Sequence, residues 1–233
     1  MKAESIRTAC ALLACFALVA VGRPVFGGVC GDDVDGVRVA CKCGDTVISN
    51  TRLRGTDPVA AAQCSRDGLL VDAGDGAPGL ILDLGGQTVK GAGEGYGIRV
   101  LDGGTGGVII TGGSAAVPGT VASFRIGISA RGKNVLSEVE NVVVTGCKRD
   151  GIVIHTDGGK VEGVVVERNG RDGLRVRGRS QSLEGVMASE NRRDGLRLSG
   201  RDNSAVGGSY SNGRLDARGN GRNQVDIVTE VRP

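Results

Sequence analysis

The chain has no tryptophan, one histidine and only five aromatic residues in 233. The lone histidine, His155, excludes any site that needs two imidazoles, and no Ser-His-Asp arrangement can be drawn around it. The shortage of aromatics counts against a sugar site built on stacked rings, since Tyr96 and Tyr210 are the only tyrosines. Two of the three phenylalanines, Phe16 and Phe26, lie near the N-terminus. No segment carries the pattern of an amphipathic helix of ten or more residues. The interior must therefore be made of Val, Ile and Leu. Glycine reaches 42 residues without a three-residue period, which excludes collagen. The aliphatics recur in short alternating runs, which argues against a disordered chain.

The longest apolar run, Ala9 to Val21, has 13 residues, short of the roughly 20 that span a bilayer. With Lys2 and Arg7 before it and Gly22, Arg23, Pro24 and Gly27 after it, residues 1–27 read as a signal peptide cleaved after Gly27. A lipoprotein signal at Leu12-Leu13-Ala14-Cys15 is the rival reading, but it would leave Phe16 to Val21 stranded behind the cysteine. Cleavage lowers the net charge from +3 to +1, with 26 basic and 25 acidic residues left. A near-neutral chain gives no reason to expect a nucleic-acid partner. The mature chain is expected to lack a membrane span and to be secreted, periplasmic or at the cell surface.

Cleavage also removes Cys10 and Cys15. Cys30, Cys41, Cys43 and Cys64 then cluster near the new N-terminus, as two disulfides would require in an exported chain. Joining Cys41 to Cys43 would close a strained ring. Of the remaining pairings, the expected one is Cys30–Cys41 with Cys43–Cys64. Metal binding lacks the ligand spacing and a nearby histidine. Residues 28–68 are expected to form a disulfide-bonded cap, and Cys147 remains a free thiol.

Three segments align without gaps at an offset of 22, starting at Val139, Val161 and Leu183. A weaker copy runs from Ala205 to Asn212. Each holds two short alternating stretches, such as Val164-x-Val166 and Leu174-x-Val176, separated by Asn, Asp and Gly residues that close tight corners. Such a unit cannot bury its apolar side alone. Stacked parallel on its neighbours it can, with like residues in columns. Val142, Val164 and Val186 form one inner column. Ile152, Leu174 and Leu196 form a second, and Val139, Val161 and Leu183 a third. Asn169 and Asn191 share a corner where stacked amides would bond along the axis, and Cys147 takes that place one coil earlier.

Upstream, Leu80 to Val89, Gly97 to Val100, Val108 to Ile110 and Ile126 to Ile128 continue the pattern. The stretch from Gly103 to Gly119 reads as a wider loop leaving the stack. Ile128 to Ile152 spans 24 residues, so two extra residues are placed near Arg131 to Asn134. The expected fold over residues 69–233 is an all-β, right-handed parallel β-helix of about seven coils. Val161-x-x-Val164-x-Val166-x-x-Asn169 also fits a leucine-rich repeat. The other half of that repeat should be a helix, yet here it is Gly-Leu-Arg-Val-Arg-Gly, a strand between glycines.

Leu82-Asp-Leu-Gly-Gly-Gln-Thr-Val89, Cys43-Gly-Asp-Thr46 with the downstream Cys64, and the repeated Arg-Asp-Gly-Ile/Leu resemble the bacterial right-handed parallel β-helix proteins, the pectate-lyase-like superfamily in its broad sense. The resemblance runs from about Cys43 to Ile227. It implies that the Cys43–Cys64 segment caps the first coil, which supports the expected pairing. It implies no single activity, because such proteins include polysaccharide lyases, hydrolases, epimerases and many exported proteins of unknown role. A lyase of this superfamily is expected to place calcium-binding carboxylates and an Arg or Lys base on one outer sheet.

Leu174 and Val176 point inward, so Arg175 and Arg177 point outward. Arg197 stacks on Arg175 and His155 on Arg177. These four form a candidate ligand patch for acidic sugar carboxylates, against which stands an ordinary charged surface paired with nearby acids. Asp150, Asp172 and Asp194 form another column beside Arg149, Arg171 and Arg193. They recur in every regular coil as corner residues do, and their mutual repulsion could be relieved by calcium, by the adjacent Arg column or by corner backbone N–H groups. No cofactor and no catalytic residue are assigned. The expected role is an exported scaffold, or a module binding acidic polysaccharide or a cell-surface component. The alternative is a polysaccharide lyase or epimerase.

Overall fold

The computed structural model describes residues 27–74, 79–101, 107–133 and 135–210, with the backbone of strands Leu215–Arg218 and Gln224–Ile227. Of the segment read as a signal peptide, residues 1–27, all but Gly27 lie outside the described residues, as does the edge after Val228. Among the described residues the only helix is one turn, Pro58–Ala61. The rest is short strands, almost all paired in parallel with the strand one coil away. Residues 150–200 contain no helix, which removes the leucine-rich-repeat alternative.

A regular coil has three strands, not the two expected. One coil contributes Lys160–Glu162, Val165–Glu167 and Leu174–Arg179. The extra strand escaped notice because it has a single inward residue, Val161, and a single aliphatic shows no alternation. The strands stack into three faces. The first is a 10-stranded sheet that runs through Ile152–His155, Leu174–Arg179 and Leu196–Arg201. The second and third form one 14-stranded sheet, joined where Ser204–Tyr210 pairs with both Ser182–Glu184 and Met187–Ser189.

Each corner turns on one left-handed residue, repeated at the coil offset. Asn141, Gly163, Gly185 and Gly207 separate the second face from the third, with φ of 52°, 57°, 59° and 63°. Gly146, Arg168 and Glu190 follow the third face. Gly158, Ser180 and Asp202 separate the first face from the second. A single residue with φ near +55° reverses the chain without widening the coil.

The expected columns are in register. Ile152 pairs with Leu174 and Leu174 with Leu196; Val139 pairs with Val161 and Val161 with Leu183. Val142, Val164 and Val186 are fully buried. Burying a Val, Ile or Leu contributes about 1.5–3 kcal/mol, so these columns dominate the stability of each layer.

The stretch from Gly103 to Gly119 is not one loop. Val108–Thr111 lies inside the second face between Leu80–Asp83 and Leu136–Glu140. Residues 103–106 lie outside the described residues, and between 107 and 119 the chain leaves the stack around the Ser114–Val117 bridge. Val108 and Ile110 are fully buried, and that burial holds the strand in the stack despite its glycine-rich flanks.

Both disulfides pair as expected, Cys30–Cys41 and Cys43–Cys64. The segment they staple already contributes to all three faces, through Asp45–Val47, Thr51–Arg52 and Gln63–Cys64. A hairpin of Val29–Val34 and Val37–Val39 closes the first face with an antiparallel pair. Arg38 ties this hairpin to the first coil, its Nη2 donating to both oxygens of the buried Asp57 carboxylate at 2.8 Å.

Candidate functional site

The first face carries the expected patch. Strand alternation turns Ile152, Ile154, Leu174, Val176, Leu196 and Leu198 inward and their neighbours outward. In one outer row Val153 pairs with Arg175 and Arg175 with Arg197. In the next, Arg131 pairs with His155, His155 with Arg177, and Arg177 with Ser199. Register partners sit about 4.8 Å apart across strands, so the cations stand side by side. The register thus brings all four expected patch residues together, and it adds Arg131.

Among the described residues Arg131, Arg175, Arg177 and Arg197 form no ion pair. The next register partner of Arg197 is Asp216, whose side chain lies outside the described residues. His155 registers the accumulated charge: partial burial first, then Arg131, Arg175 and Arg177, push its pKa below the usual imidazole range, with Asp150 opposing. Its Nε2 is buried without a hydrogen-bond partner.

The two extra residues of this coil fall between Arg131 and Glu138, one of them as a bulge at Ser137. Beside them a cleft of about 420 Å³ opens, lined by Gly132, Lys133, His155, Thr156, Asp157, Arg177 and Gly178. Lys133 is a cleft cation that sequence reasoning did not single out. Its signal was present, because the insertion breaks the repeat next to the only histidine. Asp157 in the cleft is already engaged. It accepts the Arg179 backbone N–H at 2.8 Å and its guanidinium at 3.0 Å, which lowers its pKa.

The aspartate column lies two residues before the inward Ile152, Leu174 and Leu196, at the entrance to the same face. Asp150 and Asp172 are both buried, and the Asp150 Oδ1 accepts the Asp172 backbone N–H at 3.3 Å. That bond carries the corner-forming role. Burial, then the Asp150 and Asp194 carboxylates, raise the pKa of Asp172, while Arg197 lowers it. The Asp172 Oδ1 has no hydrogen-bond partner. In the neighbouring arginine column the Arg171 N–H donates to the Arg149 carbonyl and the Arg193 N–H to that of Arg171, and the Arg149 Nε is buried without a partner. Among the described residues no group of three or more His, Cys, Asp or Glu is arranged to hold a metal ion.

Tyr96 stands elsewhere on this face, with the Arg99 and Arg125 guanidiniums 5.2 and 5.8 Å from its ring centre. Tyr210 offers no platform: its hydroxyl is buried without a partner and burial pushes its pKa to about 12. A larger hollow of about 740 Å³ lies beside the Cys43–Cys64 bridge. Its lining includes Lys42, Arg66, Asp45 and Asp67, two charges of each sign, so it has no preference for an anion.

No family model, curated protein or solved structure matches this chain. The architecture alone defines the class, an all-β solenoid of stacked parallel strands with a disulfide-bonded N-terminal segment. Two disulfides fit an oxidising compartment. Among the described residues no helix is long and apolar enough to cross a membrane.

Proposed function

We propose that the chain is an exported right-handed parallel β-helix of about seven coils, a member of the pectate-lyase-like superfamily in its broad sense. In this reading it is a non-enzymatic scaffold whose first face binds an acidic polysaccharide or a cell-surface polyanion. The observation that carries the reading is the row of Arg131, Arg175, Arg177 and Arg197, none of which forms an ion pair among the described residues. Guanidiniums at strand spacing repel one another, and a carboxylate bound bidentately across two of them removes that repulsion. The cleft at Lys133 and His155 gives the patch a defined end.

The test is retention on immobilised polygalacturonate or alginate beside a neutral glucan, with ultraviolet absorbance followed for unsaturated products. Retention on the acidic polymers, lost in an R175A/R197A variant and unaccompanied by new absorbance, is the expected result. Absence of retention by the wild-type protein overturns it.

Asp172 favours the second reading, a lyase or epimerase. A buried carboxyl with raised pKa, near Arg197 and flanked by two carboxylates, is the kind of group that exchanges protons with a substrate. Unsaturated products that disappear in D172N would select this reading over the first.

A further inference from the structure

The chain is close to neutral overall, yet its faces differ in sign. On the second face, Glu140 pairs in register with Glu162 and Glu162 with Glu184. Beside that row, Glu138 pairs with Lys160. Lys160 bonds Glu162 and lies 3.5 Å from Glu138, so one ammonium serves two of the four carboxylates. Among the described residues Glu140 forms no ion pair, and Glu184 accepts the Ser182 hydroxyl at 3.1 Å and feels Lys160 only at longer range. The same coils carry Arg131, Arg175, Arg177 and Arg197 on the first face, without an ion pair among the described residues.

Both rows take their spacing from the same strand-to-strand distance, about 4.8 Å. A guanidinium row and a carboxylate row on two identical molecules are therefore commensurate. Aligning one pair aligns the next. We infer that the first face of one molecule docks on the second face of another copy, with Arg175 and Arg197 against the Glu140–Glu162–Glu184 row.

Such a contact uses two different surfaces of each molecule. It leaves one face of each kind free at the ends and propagates as an open assembly, not a closed dimer. Exposed ion pairs are individually weak, so the assembly depends on several acting together and is sensitive to salt. The inference does not rest on the saccharide reading, since it needs only charges within this chain. A polyuronate would compete for the first face.

Sedimentation velocity of the mature protein at about 20 mM and about 0.5 M salt tests it. The expected result is a mass at least roughly twofold above the monomer at low salt, falling to the monomer at high salt. R175E/R197E turns the Arg175–Arg197 row acidic, like the facing Glu140–Glu162–Glu184 row, and E140K/E184K turns the ends of the glutamate row basic while sparing the Lys160–Glu162 pair. Each variant alone is expected to stay monomeric at low salt, with an unchanged circular dichroism spectrum, and an equimolar mixture to assemble again. A wild-type protein that is monomeric at low salt overturns the inference. So does an assembly indifferent to salt, or a mixture that stays monomeric.

Discussion

The Asn169 Nδ2 donates to the Asn191 Oδ1 at 2.9 Å, and that same oxygen accepts the Asn169 backbone N–H at 3.1 Å. One coil earlier the Asn169 Oδ1 accepts the backbone N–H of Cys147 at 2.9 Å. Each amide also donates across the layer, Asn191 to the Val166 carbonyl and Asn169 to that of Val144. Both side chains are buried, so no water competes. A second such corner exists at Gln181 and Asn203, with Gln181 N–H donating to the Asn203 Oδ1 at 3.0 Å.

Asn169→Ala strips a partner from the Cys147 N–H and from the Asn191 amide, and leaves a small void. A buried unsatisfied group costs about 1–3 kcal/mol, so the variant should lose about 2–4 kcal/mol in urea unfolding. A loss below about 0.5 kcal/mol would mean that the ladder does not bear on stability.

Cys147 marks the lower end of this ladder, lying above Phe124 and below Asn169. Burial pushes its thiol pKa up to about 11, and its Sγ lies 3.8 Å from the Thr145 carbonyl. It should resist a thiol reagent at neutral pH in the folded protein and react fully once denaturant unfolds it. Rapid labelling of the native protein would contradict this placement.

Corner conformation can be tested without touching a contact. Ser180, exposed, sits at φ 54°, and Gly185 at φ 59° has only the Gly163 nitrogen, 3.9 Å away, near an added Cβ. Left-handed backbone costs an ordinary residue about 1–2 kcal/mol, partly offset by the greater unfolded-state freedom of glycine. Ser180→Gly should therefore raise stability by up to about 1 kcal/mol, and Gly185→Ala should lower it by about 1 kcal/mol. Changes of the opposite sign would refute the single-residue corners.

The pH dependence follows from two groups with opposite shifts. His155 titrates below its unfolded value, so its contribution is intact above about pH 6.5 and is lost as pH falls through the depressed folded value. Asp172 titrates above its unfolded value, so it favours the native state at acid pH and that benefit is lost as pH rises through the raised folded value. Asp172→Asn should raise the melting temperature at neutral pH by a few degrees and abolish the acid-side gain. A bound carboxylate would favour the imidazolium, so polyuronate retention should strengthen as pH falls toward the depressed His155 value and lose that dependence in His155→Gln.

The inner columns could be read from the sequence because a parallel stack obliges like residues to recur at one offset, and Val164, Leu174 and Val161 do so. The Cys43–Cys64 pairing also emerged before the structure, with help from a resemblance. The third strand of the coil did not, because Val161 stands alone between outward polar residues. Nor did the nature of the Gly103–Gly119 stretch, where glycines mask a buried Val108–Ile110 strand. The patch of Arg175, Arg177, Arg197 and His155 followed from strand alternation alone. What alternation cannot give is distance in the third dimension. Alternation therefore leaves the aspartates a separate column, whereas Asp172 lies close enough to Arg197 to feel its charge. Lys133 was passed over because an insertion has no counterpart in the repeat to fix where it points.

The most direct trial of the stacked, three-faced coil compares Val164→Asp with Val165→Asp by thermal melting. Val164 is fully buried, while its neighbour Val165 lies in the outer row, paired with Val143 and Met187. A charge at 164 should cost several kcal/mol and disrupt cooperative melting, while a charge at 165 should cost less than about 1 kcal/mol. Equal losses at the two positions, or a larger loss at 165, would contradict the fold as described.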